Sequence, residues 1–322
     1  MAIRDLLLIN TGAPIVACTR LTNHSALAMG DGSIQFVDPS GICARVKVHE
    51  DGILSAASVG DLVLTGGDDG TVALTSPDGT SRVVARHSGQ WIDNVCGTRP
   101  DGAIVWSSGK EVFAECGGKV RRTTLPSTPT GLALNPSSRR VAVAHYGGVT
   151  LWDFSGDTHL LDWKGSHIGV TWSPCGRYVV TSMQERELHG WRLANNVDMR
   201  MPGYEAKIRS LSWNKSGRWL ATSGADIAVL WSFGGNGPWN KNPRELGRKG
   251  VPVTRVAFHP DHTLIAVGYS DGMVAVTDIR NEEDELLRHP DGDPISALDW
   301  SPSRTSVAFG TEGGKLGLAS AT

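Results

Sequence analysis

Short runs of Val, Ile, Leu, Ala and Trp alternate along the whole chain with clusters of Gly, Asp, Asn, Ser and Pro. Such punctuation predicts antiparallel strands joined by tight turns. No stretch sustains the apolar spacing of three and four residues that a helix needs, so almost no helix is expected. The runs group into a three-part phrase, clearest as RVAFHP (Arg255–Pro260), LIAVGY (Leu264–Tyr269) and, after SDG, MVAVTD (Met273–Asp278).

The first part of the phrase recurs as VACT, SAAS, NVCG, GLALNP, GVTWSP, SLSWNK, RVAFHP and ALDWSP. Its equivalent apolar positions Val16, Ala56, Val95, Leu132, Val170, Leu211, Val256 and Leu298 are 40, 39, 37, 38, 41, 45 and 42 residues apart. A period near 40 with several short strands per unit is the signature of propeller blades.

The phrase resembles the WD-repeat family through VTLWD (Val149–Asp153), AVLWS (Ala228–Ser232) and HGWR (His189–Arg192). Each follows a WSP-like or NP-like turn, and the resemblance runs through essentially the whole chain. Only Trp152-Asp153 spells the literal dipeptide; Thr277-Asp278 and Val37-Asp38 are degenerate forms. The resemblance implies four-stranded blades in which the outermost strand of one blade precedes the inner strand of the next. Outer strands are then expected near 44–48, 81–85, 120–125, 159–163, 199–202, 245–248 and 285–289.

Seven outer strands against eight inner triplets leave the last unit one strand short. The segment Ala2–Asn10 stands where the missing strand belongs and is expected to close the ring on Lys315–Ser320, covering an otherwise open edge. The expected fold is therefore all-β, a single closed propeller of eight four-stranded blades, with seven blades as the alternative. A ring of repeats forms one cooperative unit, so residues 1–322 are expected to make one domain.

Composition adds limits. Only four consecutive strongly apolar residues, Leu6–Ile9, lie near the N-terminus, short of a signal peptide's core. No run approaches the roughly 18 apolar residues of a membrane span. The expected protein is a cytoplasmic monomer without membrane contact. Cys18, Cys43, Cys96, Cys116 and Cys175 are widely spaced and form no CxxC pair, which disfavours disulfides and a structural zinc site. Cys18 and Cys96 fall where a buried small residue is needed.

No phosphate loop, HExxH or GxSxG motif is present, so no cofactor and no enzymatic activity are expected. His259 and His262 form an HxxH pair, but the Pro260-Asp261 turn is expected to splay them. The resemblance implies that a His before an inner strand joins a hydrogen-bonded set with Ser or Thr, Asp and Trp. His49 fits this role with Thr65 and Asp69, and Tyr204 replaces the His opposite Thr222, Asp226 and Trp231.

Of eleven tryptophans, Trp152, Trp172, Trp191, Trp213, Trp231 and Trp300 end strands and are expected to fill the wedge between blades. Trp239 lies in the inserted loop GGNGPWNKNP, where it either covers the rim or meets a partner. Trp91 opens onto the face made by the connections between blades, where the family resemblance implies peptide binding. Positions expected to line the centre of that face are Trp91 and Asp93, His145 and Tyr146, Glu185 and Arg186, and Lys207 and Arg209. Aromatics and Arg with a few carboxylates are what interaction surfaces favour.

Charge marks the same region. Residues 119–218 carry 14 Lys or Arg against 7 Asp or Glu, on a chain of net charge −2. A sector of this kind steers an acidic peptide or protein surface; nucleic acid is disfavoured by the overall charge and the lack of an aromatic-basic motif. Alternatively, Arg139, Arg140, Arg177 and Arg218 merely decorate turns on the opposite face. Two functions follow: a non-enzymatic scaffold for a protein or peptide partner, or a small-molecule or metal-binding propeller using His145, His167, His189 and Glu185.

Overall fold

The computed structural model describes residues 6–38, 40–98, 102–137 and 139–321. All regular structure among them is strand, as the alternation of apolar runs and turn residues predicts. The first-listed residues of the expected closing segment, 2–5, lie outside the described residues. Its remainder, Leu6–Asn10, pairs antiparallel with Lys315–Ser320 over five residues, Leu6 opposite Ala319 and Asn10 opposite Lys315. The two ends of the chain thus share one sheet, ordered Leu6–Asn10, Lys315–Ser320, Ser306–Thr311, Ile295–Trp300.

The strands pair into seven sheets, six of four strands and one of six. Counted as blades, this is the alternative number, seven, rather than eight separate four-stranded blades. The difference arises in the fourth and fifth units. There Thr158–Trp172 runs unbroken from its ladder with Arg140–Asp153 to its ladder with Tyr178–Met183. The outer strand expected at 159–163 and the next first strand are therefore one element. Gly165, at φ 148°, carries the backbone between the two partners without a turn.

The core lies between sheets. One cluster joins Leu230 and Leu246 of the sixth unit to Val256, Phe258 and Tyr269 of the seventh; another joins Val274 and Leu287 of the seventh to Trp300, Val307 and Phe309 of the eighth. Trp152, Trp172, Trp191, Trp231 and Trp300 are all buried in these wedges. Trp172 and Trp300 also donate their indole N–H to the preceding unit's first strand, at the carbonyls of Ala133 and Ala257, both at 3.0 Å.

Two further contacts hold successive units together. A hydroxyl on one first strand donates to the next strand's carbonyl: Thr254 Oγ1 to Ile295 at 2.7 Å, Ser296 Oγ to Ile15 at 2.5 Å, and Thr130 Oγ1 to His167. A glycine on the second strand also gives way to an isoleucine of the next unit. A Cβ on Gly268 would fall 2.6 Å from Ile295 Cγ2, and one on Gly66 2.5 Å from Ile92 Cγ2. Gly310 stands in the same relation to Ile15.

The junction between the fifth and sixth units departs from this scheme. Ile168 holds the place of the donating hydroxyl, and among the described residues no hydrogen bond joins its strand to Leu211–Trp213. Trp213 is the counterpart of Trp172 and Trp300, yet its buried Nε1 finds no partner. A cavity of about 390 Å³ opens here, lined by Ile168, Val170, Ser182, Ile208 and Leu211 among others.

Gly268→Ala should destabilise the protein by about 1–3 kcal/mol, because its methyl overpacks a backbone-anchored isoleucine. Gly234 has nothing nearer its missing Cβ than the Ser232 hydroxyl at 4.0 Å, so Gly234→Ala should be nearly neutral. Urea denaturation midpoints check this; equal midpoints for the two variants would refute the close-approach account.

Candidate interaction face

In a four-stranded unit of this topology, the turn between second and third strands and the connection to the next unit lie on one face. The other two connections lie on the opposite face. Trp91, Asp93, Lys207 and Arg209 belong to connections between units and Glu185 and Arg186 to a second-to-third turn, while Tyr146, at the register shift within Arg140–Asp153, donates its backbone N–H to Ser127 Oγ of another such connection at 3.1 Å. All seven therefore share one face. Trp239 sits between a third and an outer strand and belongs to the opposite face.

Trp91 and Tyr146 are 63% and 61% exposed, and this makes them available aromatic surface rather than wedge filling. His145 is buried, its ring nitrogens held by the Tyr146 carbonyl at 2.9 Å and Thr150 Oγ1 at 2.8 Å. It positions Tyr146 rather than meeting solvent. Glu185 Oε1 accepts from the Ser166 N–H at 3.1 Å, and Arg186, at φ 60°, donates to the Glu205 carbonyl at 3.0 Å.

Arg186, Lys207 and Arg209 come together around a cavity of about 440 Å³. Its wall also contains Glu205, Asp226, Arg255 and Glu312. Arg255 and Glu312 fall outside the set expected from sequence. The signal for Arg255 lay in the repeat itself, since no other phrase carries a charged residue at that position and five carry Ser55, Gly131, Gly169, Ser210 or Ala297 there.

The basic sector divides between the faces. Arg186, Lys207 and Arg209 flank the cavity, whereas Arg139, Arg177 and Arg218 stand beside first-to-second turns opposite it. Trp239 is tied down: its indole N–H donates to the Asp198 carbonyl at 3.1 Å, and the Arg192 guanidinium lies 4.9 Å from its ring centre.

The histidines serve packing. His49 bonds Asp69 Oδ1 at 3.0 Å and Thr65 Oγ1 at 2.8 Å, and Tyr204 bonds Thr222 Oγ1 at 2.6 Å while accepting from Trp231 Nε1 at 2.7 Å. The first is the set the resemblance implies; the second joins Thr222 and Trp231 to Tyr204, while Asp226 lines the cavity of about 440 Å³. His167 is engaged by Thr181 Oγ1 and the Trp163 carbonyl. His259 and His262 do not splay as the turn suggests: their rings lie 4.5 Å apart, because His259 Nδ1 accepts the backbone N–H groups of both Asp261 and His262. The three-residue group among the described residues with converging ligand-type atoms is His24, Asp38 and Cys43, away from this face.

His189 is different. It is fully buried, stacked on Trp163 at 3.9 Å with Trp191 edge-on at 4.7 Å, and neither ring nitrogen has a hydrogen-bond partner. Asp198 Oδ2 lies 3.4 Å from Nε2 but is half exposed. Burial, then the His167 and Arg200 charges, lowers the His189 pKa to about 3.

Against this geometry, the family profile described as "WD domain, G-beta repeat" matches residues 197–232 and 244–278. Two of the chain's units therefore match the WD repeat. The chain is similar to cell division cycle 20.1, cofactor of APC complex, from Arabidopsis thaliana, at 33% identity over 29% of the chain and 22% of that relative. It is also similar to target of rapamycin complex subunit LST8 from Mus musculus, at 23% identity over 33% of the chain and 32% of that relative. The matches thus span at most about a third of these relatives' lengths. The crystal structure of the computationally designed Ika8 protein aligns over 97% of both chains with a TM-score of 0.79 at 18% identity, a likeness of fold. Among the described residues, no helix is long and apolar enough to cross a membrane.

Folding requires His189 neutral, whereas in the unfolded chain it titrates near 6.5. Its contribution to stability is therefore complete above about pH 6.5 and is lost progressively as pH falls from there towards 3. His189→Phe should flatten the fall in melting temperature between pH 7 and pH 4. Calorimetry measures this, and parallel curves for the two proteins would contradict it.

Proposed function

We propose that this protein is a non-enzymatic scaffold that binds an acidic protein or peptide on the face carrying Trp91, Asp93, Tyr146, Glu185, Arg186, Lys207 and Arg209, with His145 as support. The observation that carries the proposal is the grouping of Arg186, Lys207 and Arg209 around one cavity, on the same face as two aromatics more than 60% exposed. Exposed aromatic and Arg anchors supply most of the energy of a typical interface. The two relatives are named as a cofactor and a subunit of protein complexes, which supports the same reading. The protein acts as one cytoplasmic, monomeric body, and Trp239 stays outside the contact set because its own chain holds it.

We also infer that the six-stranded sheet works as two four-stranded units, giving eight in all. Phe154 N–H donates to the Arg139 carbonyl at 3.1 Å across the ends of Arg140–Asp153. The same bond spans second-to-third hairpins elsewhere, from Leu193 to Arg177, Phe233 to Arg218 and Ile279 to Thr263. Gly147 and Gly148, both at positive φ, supply a reversal within the long strand.

Affinity capture in low salt, followed by mass spectrometry, tests the scaffold reading. The wild type should retain a stoichiometric protein, and the variant R186E/K207E/R209E should lose at least about tenfold of it, like charges being costly across an interface. Equal capture by both, or capture by neither, would refute the reading.

A further inference from the structure

Five first strands share a structural detail. Where each begins, its register with the second strand slips by one residue: between Ile15 and Ala17, Ile53 and Ser55, His167 and Gly169, Val253 and Arg255, and Ile295 and Ala297. A bulge of this kind re-aims the side chain that follows it. In four strands the residue there is Ala17, Ser55, Gly169 or Ala297, small or without a side chain, and in the seventh unit it is Arg255. Arg255 lies opposite Gly268, which offers it no side-chain partner.

Arg255 is mostly buried and reaches the wall of the 440 Å³ cavity, with Arg209 on the same wall. Its Nη1 donates to its own neighbour's carbonyl, Thr254 O, at 2.9 Å. Among the described residues, no carboxylate forms an ion pair with Arg255 or Arg209. Burial, then the Arg209 charge, lowers the Arg255 pKa, and Glu312 opposes them. A mostly buried guanidinium without an ion-pair partner, beside the exposed like charge of Arg209, is costly unless an anion neutralises it.

The sign and size of the charge define the anion. Arg186, Lys207, Arg209 and Arg255 face Glu205, Asp226 and Glu312, so the cavity carries a net charge of +1. One carboxylate balances it. A phosphate monoester, at about −1.5 to −2, overshoots and meets three carboxylates.

We propose that Arg255 and Arg209 form a site for a single carboxylate presented by an Asp or Glu side chain of a bound peptide. This rests on the reading of the face as peptide-binding and names the group it recognises. A planar guanidinium suits a carboxylate's two oxygens, forming paired N–H···O bonds. Lys207 and Arg186, exposed on the same cavity wall, attract the approaching acid.

The test is a titration of the arginine side-chain NMR signals of the full chain. The probes are capped Gly-Gly-Glu-Gly-Gly, the same peptide with Gln, glutarate and inorganic phosphate. The Glu peptide should shift the Arg209 and Arg255 signals saturably, with the Gln peptide and phosphate at least about tenfold weaker, or about 1.4 kcal/mol. Glutarate should bind, but less tightly than the Glu peptide. Arg255→Gln and Arg209→Gln should each lose at least about tenfold in affinity for the Glu peptide. Should Arg255→Gln fail to fold, the wild-type signals and Arg209→Gln still decide.

The proposal is overturned by equal responses to the Glu and Gln peptides, by preference for phosphate or free glutarate, or by no shift at Arg255. Capture of a protein partner that Arg255→Gln fully retains would refute this site and leave the scaffold reading standing. Saturable binding of the Glu peptide with no captured protein would do the reverse.

Discussion

First strands converge around the centre of the ring, and each must come within van der Waals reach of the next. That crowding governs the rest of the structure. It strips the side chain from Gly66, Gly268 and Gly310 so that Ile92, Ile295 and Ile15 can seat. It also places Thr130, Thr254 and Ser296 where their hydroxyls meet the neighbouring strand's carbonyl. Small residues at the bulges follow from the same constraint. Departures from it give up packing or hydrogen bonding that the units carrying these residues keep.

Two departures adjoin one another. At the fifth-to-sixth junction, Ile168 replaces a hydroxyl and Trp213 lacks an acceptor, leaving an open cavity. One unit further on, Arg255 replaces a small bulge residue and faces Arg209 across a second cavity. Arg209 lines both. The loosely joined fifth-to-sixth junction thus adjoins the cavity that Arg186, Lys207, Arg209 and Arg255 line.

Much of this was legible in the sequence. The 40-residue period follows from alternation and spacing, and the closing role of Ala2–Asn10, of which Leu6–Asn10 pairs with Lys315–Ser320, from the strand order that the family resemblance implies. The continuity of Thr158–Trp172 was not legible, since Lys164-Gly165 reads as a turn and is instead extended backbone. At the site, topology placed Trp91, Tyr146, Arg186, Lys207 and Arg209 on one face, because turn order fixes the face. Arg255 escaped notice because a residue inside a strand reads as structural until its bulge and its unpaired guanidinium are seen. The anchoring of Trp239 likewise depends on a contact distant in sequence, with the Asp198 carbonyl.

The central claim is that one face, and not its opposite, meets the partner. Photo-crosslinking decides it most directly, with a benzophenone amino acid placed at Tyr146 in one protein and at Trp239 in another. Crosslinking of a captured partner from position 146 and not from 239 is the predicted result. Crosslinking from position 239 alone would contradict the account.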